Sequence, residues 1–328
     1  MKTTLAAATI AISCLSGAAS SMAHAQSGAF PNHSVRAVLP YSVGSGPDAV
    51  SRIIGEQLTA AWKQPFIVEN KPGANGWLAI GEIKRSAPDG YSMLVVDNTP
   101  MTLQPHLYSK LPFDPMADFT PVAPIYRTNF FIVVSSRSPW NSVSDLIAAA
   151  RQRKGEVTYG SWGIGSVAHI GTAEFERKTG TSMTHVPFKE LPQLYTAVAN
   201  GEVDWAFGTA ATVQNLYQAK RVKLLALAAP SRLGLYPEVP TVAESGGPAE
   251  FEVKTWVAAF APKGTPDQVV QRLNGAIATA LAAPSVQKSL QTFGFEPWVA
   301  APGDVAKAQA QDTASFATIV KQSKISLD

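Results

Sequence analysis

Twice along this chain a short β-rich run turns through glycine and serine directly into a helix. Strand 35–40 meets Tyr41-Ser42-Val43-Gly44-Ser45-Gly46, and Pro47 follows as a favourable first helical residue. Strand 157–159 meets Gly160-Ser161-Trp162-Gly163-Ile164-Gly165-Ser166, and a helix is expected to run on to Thr179 and stop at Gly180. The same rhythm fills the rest of the chain. After the first loop, Val50, Ile53, Ile54, Leu58 and Ala61 recur at helical spacing. Residues 66–68 form the next strand, 71–76 a loop, 77–87 a helix, and 93–96 a buried strand that ends at Asp97-Asn98-Thr99-Pro100. The proline-rich stretch 111–124 is expected to be irregular, and 130–134 is strand-like again. Ser142 caps a helix, with Asp145 three residues on. Further strands are expected at 183–188, 203–207, 224–228 and 253–260, with a Pro/Gly-rich linker at 237–248 and helices at the end.

Strands alternating with helices predict an α/β protein with parallel sheets. Two such groups, joined near 127–135 and again near 250–261, predict two lobes with a cleft between them and a hinge crossed twice. The expected division is 26–130 plus 254–328 for lobe 1, which is discontinuous, and 131–253 for lobe 2.

With 328 residues and 46% apolar residues the chain can build a sizeable core. Charged residues make up 16%, below the roughly 25% typical of soluble domains. The net charge of +3 is small and scattered, so no basic stripe for nucleic acid is visible. One cysteine excludes a disulfide within the chain, and five histidines show no metal-ligand spacing, so neither metal nor cofactor is expected. Residues 1–25 read as a secretory signal peptide: Lys2, an apolar run, and Ala23-His24-Ala25 as the cleavage site, so that the mature chain begins at Gln26. Losing that segment removes Lys2 and Cys14, leaving a net charge of +2 and no cysteine. An exported, cysteine-free chain of this size points to a bacterial periplasm, and a monomer is expected.

In open α/β sheets, ligands sit at the carboxyl ends of strands. Loop 41–48, loop 160–166 and the shorter 97–99 occupy such ends. Small residues let a ligand approach the backbone, and helix N-termini favour anions through free N–H groups. Taken singly, each loop also suits a plain turn or cap. Ser166 also suits the N-cap of its helix, and His169, one turn in, is either a ligand contact or a structural hydrogen-bonder. Asp48 is expected to stabilise the first helical turn or to bond loop amides, because like charges would repel an anion. Gly163 to Ala168 also fits G-x-G-x-x-A, with Glu190 near a ribose-binding position, which keeps a dinucleotide enzyme as a rival; export counts against it. There is no nucleophile elbow, and no Ser/His/Asp set can be placed by sequence.

At this point the chain resembles the substrate-binding proteins of tripartite tricarboxylate transporters. The likeness begins at Leu39-Pro40-Tyr41-Ser42-Val43-Gly44-Ser45-Gly46-Pro47-Asp48. It continues at Val68-Glu69-Asn70-Lys71-Pro72-Gly73-Ala74, Ala87-Pro88-Asp89-Gly90-Tyr91, Asp118-Phe119-Thr120-Pro121-Val122 and His185-Val186-Pro187-Phe188-Lys189. Ser45 stands where the family has a second glycine. The resemblance implies a type II periplasmic-binding-protein fold and capture of a small carboxylate between the lobes, for delivery to membrane permease subunits. It also implies contacts from backbone amides and hydroxyls at Tyr41 to Gly46, Asn98, Thr99, Ser161, Gly165, Ser166 and Thr209.

Trp77, Trp162 and Trp256 fall in or beside these loops, which predicts an aromatic or otherwise bulky carboxylate. Arg127 and Lys189 are the candidate cations for a second carboxylate. An exported enzyme acting on the same acids, or a receptor feeding a membrane sensor, are the alternatives.

Overall fold

The structure, a computed structural model, describes residues 30–323 and 325–327. The expected signal peptide, residues 1–25, lies outside the described residues. In chain order come β1 (Val35–Leu39), α1 (Gly46–Trp62), β2 (Phe66–Asn70), α2 (Trp77–Lys84), β3 (Ser92–Asp97), α3 (Gln104–Leu107) and β4 (Phe119–Asn129). Next are β5 (Phe131–Ser135), α4 (Val143–Gln152), β6 (Thr158–Ser161), α5 (Val167–Thr179), β7 (Thr184–Pro187), α6 (Leu191–Asn200), β8 (Trp205–Gly208), α7 (Ala210–Gln218) and β9 (Val222–Leu227). The chain ends with β10 (Lys254–Pro262), α8 (Asp267–Leu281), α9 (Pro284–Phe293), β11 (Glu296–Pro297) and α10 (Pro302–Ser323).

Two sheets result, one per lobe. The first has the order β11-β4-β10-β3-β1-β2 and the second β7-β6-β8-β5-β9. The strands that carry the glycine loops are parallel to their neighbours: β1 to β2 and β3, and β6 to β7 and β8. The strands at the crossing are antiparallel, β10 against β3 and β4, and β5 against β8 and β9. The sheets are therefore mixed, not wholly parallel as the rhythm suggested. The reason is that a strand returning from the other lobe enters its sheet without a helical crossover.

Only Phe130 separates β4 from β5, so the chain leaves the first sheet and enters the second within one residue. It returns at β10. At the crossing Phe130 N–H donates to Val253 O at 3.1 Å, and Ala228 N–H donates to Phe130 O at 2.8 Å. The two connections are thus hydrogen-bonded side by side, a two-stranded hinge.

Strand β4 starts at Phe119, inside the stretch expected to be irregular. Pro121 and Pro124 lack an N–H, yet the strand tolerates them through register shifts in β10 beside their partners Phe260 and Ala258.

Alternate side chains of each strand feed opposite faces of the sheet. In the first lobe Leu39, Val95, Ile54, Leu58, Leu273 and Ile277 close one face, while Val38, Leu94, Ile80, Phe260 and Val305 close the other. The second lobe repeats this with Leu146, Phe175 and Trp205 on one side and Leu194, Val198 and Val213 on the other. Each such buried aliphatic side chain contributes about 1.5–3 kcal/mol. Helix α10 crosses back toward the second lobe, where Val320 packs with Ile170, Leu103 and Leu107. Among the described residues no helix is long and apolar enough to cross a membrane.

Candidate functional site

The first glycine loop is held from beneath by one carboxylate. Asp48, 2% exposed in the first turn of α1, accepts Gly44 N–H on Oδ2 at 2.8 Å. Its Oδ1 accepts Arg52 Nε at 3.0 Å and Asn70 Nδ2 at 2.9 Å. Asn70 Nδ2 also donates to Tyr41 O at 3.0 Å. Burial pushes the Asp48 carboxyl up, but the bonds from Arg52, Gly44 and Asn70 outweigh it and hold the pKa below its ordinary value. Asp48 therefore bonds a loop amide, as its position in the sequence suggested.

The second loop is held by neutral groups. Ser166 caps α5, its hydroxyl accepting His169 N–H at 3.3 Å. His169 Nδ1 accepts Gly165 N–H at 3.0 Å. Ser161 Oγ lies 2.6 Å from His185 Nε2 and accepts Gly163 N–H at 3.1 Å. The two imidazoles stack with centroids 4.1 Å apart, and Tyr159 stacks on His185 at 4.9 Å. Burial, reinforced by His185, lowers the pKa of His169 to about 4, and burial lowers that of His185 too.

The two loops border one cleft of about 270 Å³. Lobe 1 lines it with Pro40, Tyr41, Gly73, Asn75, Gly76, Asp97, Thr99, Pro100, Gln104, Leu107, Tyr108 and, from the C-terminal tail, Leu327. Lobe 2 contributes Trp162, Ile164, Gly165 and Ser166. Of the residues singled out in the sequence, Tyr41, Thr99, Trp162, Gly165 and Ser166 come together in this lining.

The others stand around it. Ser42, Val43, Gly44, Ser45 and Gly46 form the outer part of the first loop, with Val43 72% exposed. Trp77 sits beneath the floor: its Nε1 donates to Gln104 Oε1 at 2.8 Å and its ring meets Tyr108 edge-on. Asn98 is fully buried behind Thr99, donating to Asp312 and accepting from Thr255. Ser161 is fully buried under its loop, and His169 lies behind Gly165. Thr209 caps α7 and bonds Thr212. Trp256 belongs to the core, with Nε1 donating to Asp312 at 2.7 Å, so of the three expected tryptophans only Trp162 lines the cleft. Arg127 lies 3.8 Å from the centre of the Trp298 ring, and Lys189 is exposed; neither is in the lining.

Sequence reading passed over the part played by Asp97, Asn75, Gln104 and Tyr108. Asn75 Nδ2 donates to Tyr108 Oη at 2.6 Å, and Gln104 Nε2 donates to Asn75 O at 2.9 Å. Such a floor is assembled from three separate segments, so no local pattern announces it. Asp97 ends β3. Its Oδ1 accepts Thr99 N–H at 2.8 Å, and its own N–H donates to Tyr41 Oη at 2.7 Å. Burial raises the Asp97 pKa against the opposing bonds from Thr99 and Tyr41. Burial and the nearby Asp97 raise that of Tyr41 well above its ordinary value. Among the described residues no group of three or more His, Cys, Asp or Glu side chains is placed to hold a metal ion.

Residues 50–325 match the family model of the tripartite tricarboxylate transporter family receptor, TctC. A UPF0065 protein of Bordetella pertussis is 33% identical over 85% of this chain and 85% of its own length. The BugT protein of the same organism is 27% identical over 89% of this chain and 90% of its own. Among solved structures, R. palustris Rpa4515 with adipate superposes with a TM-score of 0.83 at 30% identity, covering 90% of this chain and 99% of that one. MatC from Rhodopseudomonas palustris, with bound malate, gives 0.77 at 28% identity, covering 89% and 100%. The two-lobed fold, the cleft and these matches agree: this chain belongs to the TctC family of tripartite tricarboxylate transporter receptors, periplasmic solute-binding proteins.

Proposed function

We propose that this protein captures a small organic carboxylate between its lobes and delivers it to the permease subunits of a tripartite tricarboxylate transporter. The observation that carries this reading is a single cleft bordered by strand-end loops of both lobes: Tyr41, where the first glycine loop begins, and Gly165 and Ser166 at the start of α5. Helix starts supply N–H donors and a favourable dipole to an anion without a fixed cation. Relatives solved with adipate and malate support the same ligand class. Tyr41, Tyr108 and Trp162 give the cleft aromatic walls, which suits an aromatic or otherwise bulky carboxylate. The lobes are taken as 26–130 with 254–328, and 131–253. Export through a signal peptide cleaved after Ala25 completes the reading.

Capture works by closure. One lobe holds the ligand first, the other adds its donors, and the closed state gains population only through the ligand's extra affinity for it. We read the protein as a binder and not an exported enzyme, because Ser161, the hydroxyl beside a histidine, has no exposed surface from which to attack a ligand.

Ser166→Asp tests the site. Aspartate is as good an N-cap as serine, so α5 keeps its start, while the added charge faces the ligand's own. Titration calorimetry with adipate, malate and aromatic acids is expected to show binding to the wild type and none to this variant. Unchanged affinity in Ser166→Asp overturns the site. Mass spectrometry of the same acids after incubation is expected to find them unaltered.

A further inference from the structure

Among the described residues the cleft lining contains one charged side chain, and it has the wrong sign for a plain anion. Of its sixteen lining residues only Asp97 is charged; no lysine, arginine or histidine is among them. No ion pair among the described residues includes Asp97. Its neighbours are the Thr99 amide on Oδ1, the Thr99 hydroxyl and the Tyr41 hydroxyl, all of them neutral donors. The cap at Thr99 is one that the side-chain oxygen of a neutral asparagine performs equally well. The local structure therefore supplies this carboxylate with neutral donors and, among the described residues, with no cation.

Resting on the carboxylate reading above, we infer that Asp97 is the specificity-determining residue of the cleft, selecting carboxylates that also carry an ammonium or hydroxyl donor to meet it. A ligand whose carboxylate lies at the helix starts and whose donor faces Asp97 uses both ends of the cleft. A ligand without the donor leaves the Asp97 carboxylate desolvated against another anion on closure. Sites built to bond an OH or NH group reject the analogue that lacks it, because the buried protein group is then unpaired. The ligand's ammonium also supplies a cation, which the described lining residues lack, and a charge-assisted bond is stronger than a neutral one.

The test uses two matched sets on the intact mature protein, each varying one substituent: succinate, malate and aspartate; and 3-phenylpropanoate, 3-phenyllactate and phenylalanine. Calorimetry at pH 7 is expected to rank the ammonium member above the hydroxyl member above the parent in whichever set binds, with at least about tenfold between the extremes. Asp97→Asn, which keeps the cap at Thr99 and the backbone bond to Tyr41 Oη, is expected to compress that ranking to within about threefold and to strengthen the parent acid. Because the ranking is measured first on the wild type, failure of the variant to fold leaves the inference open to refutation. Parent acids that bind as well as their amino and hydroxy partners, or an unchanged ranking in Asp97→Asn, overturn this inference and leave the carboxylate reading standing. No binding by any of the six acids overturns this inference, and no binding by adipate as well overturns the carboxylate reading.

Discussion

The two helix-start loops look alike in sequence and are built differently. In the first, a buried aspartate reaches back to the loop amide at Gly44 and is itself held by Arg52 and Asn70. In the second, a serine hydroxyl and an imidazole do the same work with no formal charge. The glycines differ as well. Gly44 has φ of +82° and nothing within 4 Å of where a Cβ would stand. Gly165 has φ of +73°, but a Cβ there would fall 2.7 Å from Leu107 and 2.8 Å from Leu327. Its backbone is pressed against the opposite lobe and the C-terminal tail. The first loop is anchored from within its own lobe and is free at its tip. The second is anchored within its own lobe by Ser166 and His169 but also abuts the opposite lobe at Gly165, so its geometry depends on how the lobes meet.

Substitution of the two glycines should break this likeness most sharply. Gly165→Ala forces an alanine into left-handed backbone and pushes Leu107 and Leu327 away. The expected cost is about 2–4 kcal/mol, with ligand affinity falling by more than about a hundredfold. Gly44→Ala meets only the backbone penalty of about 1–2 kcal/mol and should retain measurable binding. Thermal melting and calorimetry on both variants check the order; equal losses would mean that the contact across the cleft contributes nothing. Leu327→Ala sharpens the point, since it should relieve the crowding in Gly165→Ala and recover part of the lost affinity.

Local chemistry made much of this fold readable. Ser142 with Asp145 forms the expected capping box, Gly180 ends α5 in left-handed backbone, and Ser166 caps its start. These features depend on residues within one turn of each other. What escaped depends on distant segments. The strand from Phe119 hides behind prolines that only the bulged partner strand makes tolerable. Trp256 reads as a cleft residue until Asp312, on the last helix, draws its indole into the core. Asp97 reads as the end of a strand; that no cation among the described residues comes to meet it is known only once the lining residues are in place.

Removing the anchor of the first loop is a smaller perturbation. Asp48→Ala leaves the Gly44 amide without its acceptor and takes one of two acceptors from Asn70 Nδ2. The expected loss of stability is about 1–3 kcal/mol, read from denaturant unfolding. Asp48→Asn, which can still accept from Gly44, should lose less. If both variants match the wild type, the loop is held by its backbone alone.

Acid should separate the two loops without any mutation, and this is the smallest effect. The His169 pKa is about 4 in the folded chain against an ordinary 6.5, so the unfolded chain binds more protons between these values. Its contribution to stability is whole above pH 6.5 and declines as pH falls toward 4. Protonation of Nδ1 also removes the acceptor for Gly165 N–H. Asp48, held below its ordinary 3.8, gives the opposite window: its contribution persists through that range and is lost only below it. Hydrogen exchange between pH 7 and pH 4.5 is therefore expected to speed up at Gly165 well before Gly44, once the intrinsic pH dependence of exchange is divided out. His169→Gln, whose side-chain oxygen can accept from the Gly165 amide at any of these pH values, should abolish the difference. A first loop that loosens together with the second would show that the two anchors are coupled through the cleft and not independent.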